Sequence, residues 1–164
     1  MLLEEKTLRD KLTNAYNREF FENNYQKLIE TFKSEDMYFG LAMIDIDNFK
    51  NINDSYGHNI GDEILINLVS IINKFSRNDD ILIRWGGEEF IIILKVSSED
   101  RLNIILENIR KTIEKSKIDK LPTITCSFGG TIYENNEQIN DTIKRADEAL
   151  YIAKANGKNK VILK

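Results

Sequence analysis

Two apolar runs, DILIRW (Asp80–Trp85) and EEFIIILKV (Glu88–Val96), stand on either side of Gly86-Gly87. Runs of this length, rich in isoleucine and leucine, read as strands, and a Gly-Gly spacer suits the positive φ angles of a tight hairpin turn. A hairpin forces antiparallel pairing at the centre of whatever sheet the chain builds.

The rest of the chain supplies helices to cover that sheet. Leu8 and Leu12 share a helical face within the charged segment at residues 1–12, which reads as a short lead-in helix, the end of a stalk, or a linker ahead of a domain at residues 13–164. Phe21, Tyr25, Leu28 and Phe32 recur at helical spacing, predicting a long helix from Arg18 to about Lys33. YFGLAMIDID then reads as a central strand buried on both faces, with Asp45 and Asp47 at its carboxyl end. A polar, turn-rich loop follows, then a helix carried by Ile64, Leu65, Leu68, Val69 and Ile72. Beyond the hairpin come a helix on Leu102, Ile105, Ile109 and Ile113, the strand TITCSFGGTIY, a helix on Ile139, Ile143, Ala146, Leu150 and Ala153, and a short VIL strand. This order predicts an α+β fold, with helices packed on a mostly antiparallel sheet.

At 164 residues the chain suits one domain. Its net charge of -4 gives no global attraction to nucleic-acid polymers or anionic lipid, so a phosphate ligand needs local cations. The lone cysteine, Cys126, cannot close an internal disulfide and reads as a small buried hydrophobe in a reducing compartment. No stretch approaches the roughly 20 apolar residues of a membrane helix, and the N-terminus is too charged for a signal peptide. A cytoplasmic segment is expected, with room for a membrane tether elsewhere in a longer parent.

Chemistry is concentrated in acids. Asp45 and Asp47 end the first strand, and Glu88 and Glu89 follow the Gly-Gly turn. Alone, the aspartate pair is better read as solvated acids ending a strand, and the glutamate pair equally well as solvated acids on an exposed hairpin. If the hairpin lies beside the first strand, however, up to four carboxylates converge, and such a cluster needs a cation. Hard oxygen ligands point to Mg²⁺, whose usual companion is a nucleoside triphosphate. FKNINDSYGHNIGDEIL adds Lys50, Asn53, His58 and Asp62 in the loop and following helix start, where Asp62 is also a plausible N-cap. A carboxylate can accept from N1 and N2 of guanine, donors that adenine lacks, so Asn53 with Asp62 favours GTP provided both face one pocket. Lys154 and Lys158, four apart near the last helix's end, could clamp phosphates or simply form a solvated basic end.

Four stretches in order carry a resemblance: DKLTNAYNR (Asp10–Arg18), IDIDNFKNINDSYGHNIGDEIL (Ile44–Leu65), RWGGEEF (Arg84–Phe90) and RADEALYIAKANGKN (Arg145–Asn159). With them the chain resembles the GGDEF family of diguanylate cyclases over nearly its whole length. The resemblance implies a five-stranded sheet wrapped by helices, related to the palm of adenylyl cyclases and polymerases with its ferredoxin-like core. It implies Mg²⁺, or Mn²⁺ in its place, on Asp45, Glu88 and the Ile46 carbonyl, with Glu89 serving a second metal or the phosphates. Glu88, Glu89 and Lys154 become the catalytic set. Asn53 and Asp62 would hold guanine, while Phe49, Lys50, His58, Lys154 and Lys158 line the triphosphate site. Two domains, each with one GTP, would face each other as a homodimer, transient or lasting, and form cyclic di-GMP with release of pyrophosphate. Arg77 and Asp80, in RNDD with five residues between Asp80 and Gly86, match the family's inhibitory RxxD site for that product; a local Arg-Asp turn contact is the alternative.

Departures are few. Glu88 stands where aspartate is commoner and keeps the carboxylate; Lys158 replaces a common arginine and loses its fork. Lys11 and Ala15 replace a common proline and leucine, which touches packing. A non-catalytic receptor for cyclic di-GMP or GTP is the competing reading, opposed by the intact Asp45, Glu88, Glu89 and Lys154. A hybrid enzyme accepting ATP is opposed by Asp62. A structural interaction domain would fail to bind GTP with Mg²⁺.

Overall fold

The computed structural model describes residues 8–164. Among them lie α1 (Arg18–Ser34), β1 (Tyr38–Ile46), α2 (Phe49–Tyr56), α3 (His58–Phe75), β2 (Ile81–Arg84), β3 (Glu89–Val96), α4 (Glu99–Lys115), β4 (Cys126–Ile132), α5 (Ile139–Ala155) and β5 (Val161–Leu163). The strands form one sheet in the order β2-β3-β1-β4-β5. The pairs β2/β3, β3/β1 and β1/β4 are antiparallel, and β5 joins β4 in parallel. The expected α+β architecture with a five-stranded, mostly antiparallel sheet is therefore the one observed.

β1 is central, and every residue in it but Tyr38 is buried. Successive side chains of a strand point to opposite faces, so its apolar run feeds two cores. Ala42, Ile44 and Ile46 pack with Ile64, Leu68 and Ile72 of α3 and Leu102, Leu106 and Ile109 of α4. Leu41 and Met43 pack with Phe21 and Phe32 of α1 and Ala146 and Leu150 of α5. Full burial of each such leucine or isoleucine contributes about 1.5–3 kcal/mol. Cys126 is fully buried, as its apolar setting implied.

Several local expectations are corrected. The polar stretch after β1 is helical: α2 and α3 are separated at Gly57. Its Asn, Asp and Ser residues disfavour helix locally, but buried Phe49 pins the start of α2 to the core. The hairpin turn spans Trp85–Glu88, closed by the Glu89 carbonyl accepting from Trp85 N–H at 2.8 Å and Gly86 N–H at 3.2 Å. Neither Gly86 nor Gly87 has positive φ, because a four-residue turn does not need it. Of the helix or linker expected over residues 1–12, residues 1–7 lie outside the described residues. Residues 8–12 form an irregular turn, after which Tyr16 pairs in parallel with Ile83 at the sheet's edge. No helix among the described residues is long and apolar enough to cross a membrane.

Candidate active site

The β1/β3 register places Asp45 directly opposite Glu89. Acids at the tip of the central strand and in the hairpin thus meet at one end of the sheet, on the face covered by α5. Asp45 is only 2% exposed. Its Oδ2 accepts from the Lys154 ammonium of α5, while its buried Oδ1 has no partner. Burial pushes the Glu88 carboxyl above its ordinary range. Burial does the same to Glu89, helped by the negative charges of Asp147 and then Glu88.

Asp147 is a residue that sequence reasoning missed. It lies seven positions before Lys154 on α5, two helical turns away on the same face, and that spacing was the available signal. Asp47, in contrast, does not join the cluster. Its Oδ1 accepts from Ser127 at 2.6 Å, and its Oδ2 accepts from Thr125 at 2.7 Å and from the Asn159 N–H at 3.0 Å. It braces the β4 and β5 ends, so three acids rather than four gather from the strand tip and the turn. Ile46 ends β1 between the two aspartates, which puts its carbonyl at the same end of the sheet.

The nucleotide-reading candidates sit on α2 and α3. Asn53 is on α2 with a buried, unpartnered Oδ1. A side chain on Gly61 of α3 would collide with that oxygen, so glycine leaves the cradle in which Asn53 lies. Asp62 follows Gly61 inside α3 and is exposed; its alternative role as an N-cap does not hold, since Gly57 precedes the helix. His58 opens α3, exposed, and Lys50 is exposed at the start of α2. Phe49's ring is buried, so only its backbone is available to a ligand.

The two lysines do not share a helix face. α5 ends at Ala155, the Lys158 N–H turns back to the Ala153 carbonyl at 3.0 Å, and Lys158 adopts φ 64°. Its ammonium instead donates to Asn48 Oδ1 at 2.6 Å, just ahead of α2. Both cations still border the β1 end, Lys154 at Asp45 and Lys158 at Asn48.

Arg77 and Asp80 form the turn between α3 and β2. Arg77 N–H donates to Asp80 Oδ2 at 2.8 Å, and Asp80 N–H to the Arg77 carbonyl at 3.0 Å. The carboxylate thus closes a turn through backbone, and Arg77 is exposed. β2, four residues and about 13 Å long at 3.3 Å per residue, lies between this turn and the hairpin.

Among the described residues, no three His, Cys, Asp or Glu side chains already form a metal cage. The donor set nonetheless fits a hard divalent cation that brings its own water and phosphate ligands. Asp45 offers an open buried oxygen, Glu88 is raised by burial, and Glu89 by burial and then the charges of Asp147 and Glu88, all of which a cation would relieve.

Fold and site together define an α+β domain that sets acids on a hairpin turn beside the tip of its central strand. The family model described as "Diguanylate cyclase, GGDEF domain" matches residues 7–160. The chain belongs to the GGDEF family. Diguanylate cyclase DgcM of Escherichia coli strain K12 is 43% identical over 124 residues, covering 76% of this chain and 30% of that protein. The crystal structure of the coiled coil and GGDEF domain of DgcB from Caulobacter crescentus with c-di-GMP superposes with a TM-score of 0.91 at 28% identity, over 99% of this chain and 88% of that one. The active GGEEF domain of a diguanylate cyclase from Vibrio cholerae superposes at 0.73 with 32% identity, over 84% and 94% of the two chains. The chain spans about a third of the length of the curated relatives it matches.

Proposed function

We propose that this chain is the catalytic domain of a diguanylate cyclase that condenses two GTP into cyclic di-GMP, releasing two pyrophosphates. The observation that carries the reading is the pairing of Asp45 with Glu89, with one Asp45 oxygen open and the other on Lys154. The Vibrio relative, called active, also bears GGEEF, which supports Glu88 in place of aspartate.

In this reading Asn53 and Asp62 hold the guanine edge, and Lys50, His58, Lys154 and Lys158 with the α2 backbone at Phe49 take the triphosphate. A Mg²⁺ or Mn²⁺ held by Asp45, Glu88 and the Ile46 carbonyl would neutralise phosphate charge and acidify the ribose 3′-hydroxyl. In the same reading Glu88 accepts that hydroxyl's proton as the oxygen attacks the other nucleotide's α-phosphate and pyrophosphate leaves. Glu89 orients the phosphates, and Lys154, released from Asp45, offsets charge on the departing pyrophosphate. Attack on a nucleotide held by a second copy requires a two-fold dimer. Cyclic di-GMP then binds through Arg77 and Asp80 and inhibits. The setting is cytoplasmic, where GTP is available.

The test is incubation with GTP and Mg²⁺, using the bare chain and a fusion to a dimerising coiled coil, with products resolved by chromatography. Cyclic di-GMP and pyrophosphate are expected from the fusion, with the bare chain's turnover per molecule rising with concentration. Asp45→Ala and Glu89→Ala should each lose at least about 100-fold. A folded fusion that binds c-di-GMP yet makes none would favour the receptor reading.

A further inference from the structure

The hairpin turn that carries Glu88 has little to hold it in place. Gly86 and Gly87 have no side chains to pack, and a Cβ on Gly87 would find nothing within 4 Å. Its internal bonds are the two to the Glu89 carbonyl. Glycine pairs sample wide backbone conformations, so the turn's geometry must come from outside.

That support is Arg84. Its Nε and Nη2 donate to the Gly87 carbonyl at 3.2 and 2.8 Å, and its Nη1 donates to Asp10 Oδ2 at 3.0 Å. The same Asp10 oxygen accepts from Thr13 N–H at 2.9 Å and Thr13 Oγ1 at 2.7 Å. The Arg84 N–H also donates to the Tyr16 carbonyl at 2.8 Å. Next along the chain, Trp85 lies under the Arg18 guanidinium at 4.1 Å and edge-on to Phe21 at 5.3 Å.

We propose, building on the cyclase reading, that Arg84 is a positioning residue: it clamps the Gly87 carbonyl to Asp10, so that the segment from Asp10 to Phe21 sets where Glu88 and Glu89 stand. Only a planar fork reaches a carbonyl with two N–H groups while giving a third to a carboxylate; an ammonium is a point charge and cannot hold both in fixed geometry. Displacement of reacting groups by about 1 Å is enough to lower rates severalfold to a hundredfold. The clamp therefore acts on catalysis without touching the nucleotide, and any shift in the Asp10–Thr13 turn passes through one guanidinium to the acids.

The experiment uses the coiled-coil fusion with Arg84→Lys, Asp10→Asn and the double variant. It measures turnover per folded molecule against Mg²⁺ and GTP, with folded fraction from ellipticity in urea. Trp85, the sole tryptophan, reports the turn by acrylamide quenching. Expected are about a tenfold fall in kcat for Arg84→Lys and a half-saturating Mg²⁺ raised about fivefold, with KM for GTP within about twofold of the parent. Asp10→Asn should move the same quantities less, and the double variant should match Arg84→Lys alone, because both belong to one clamp. Quenching of Trp85 should rise about twofold. Parental kcat and Mg²⁺ dependence in Arg84→Lys, or effects that multiply in the double variant, overturn the proposal. If the parent fusion turns over no GTP, the cyclase reading falls instead, and the clamp stands or falls on Trp85: unchanged quenching in Arg84→Lys overturns it.

Discussion

Asn53 shows how much of the site depends on single atoms. Its Oδ1 is buried, unpartnered and accommodated only because position 61 lacks a side chain. Gly61→Ala should push Asn53 out of its cradle while leaving Asp45 and Glu89 in place. KM for GTP is then expected to rise about tenfold with kcat changed much less, measured by pyrophosphate release. Glu137 carries a pH prediction. Its carboxylate accepts from Arg145 Nη1 and Nη2, each at 2.7 Å, from Glu134 N–H and from Thr142 Oγ1. The Arg145 bonds first, against a smaller burial effect, lower its carboxyl from 4.5 to about 2. A carboxyl depressed by folding stabilises the protein above its unfolded value and loses that contribution as pH falls. Stability should therefore drop between about pH 4.5 and 2 through this group. Glu137→Gln should be less stable than the parent at pH 7 and close to it near pH 2, read from urea midpoints. The acids, Asn53, Asp62 and the lysines were legible in the sequence as candidates. Asp147 was passed over, and Asp47's bracing role depends on Thr125, Ser127 and Asn159, too distant in sequence to be read.

At the scale of elements, α5 matters most because it delivers Lys154 and Asp147. It can do so because β4 offers Gly129: any Cβ there would run into the Ala146 carbonyl and the Leu150 backbone. Gly129→Ala must lift the helix off the strand. A destabilisation of about 2–3 kcal/mol is expected from urea unfolding, and activity per folded molecule should also fall as Lys154 leaves Asp45. The long periodic helices and the strands were readable from apolar spacing, as was α1, expected to end near Lys33 and observed to end at Ser34. α2 was not, because its helical form rests on burial of Phe49 and not on local preference. Lys158 was misplaced for a related reason: the spacing of four holds only while the helix continues, and α5 stops at Ala155.

Across the whole molecule, the proposed chemistry and its regulation occupy opposite ends of β2. The hairpin turn lies at one end of this strand and the Arg77–Asp80 turn at the other, with its four residues, about 13 Å, between them. Because Asp80 already closes its turn through the Arg77 N–H, Arg77's exposed guanidinium is the group that would meet a product phosphate. Arg77→Ala should leave the initial rate within about twofold and weaken inhibition by added cyclic di-GMP at least about tenfold, followed in dose-response curves. Unchanged inhibition would discard that regulatory role. By itself the sequence determined the α+β class, the antiparallel centre and the identity of the acids, because strand and helix periodicity and glycine punctuation are local properties. Only the tertiary structure decided that Asp45 faces Glu89, that Asp47 turns away to β4, and that Arg84 ties the hairpin to Asp10. Each of these is a contact between residues far apart in sequence, and its geometry is set by strand register and by which helix covers which face.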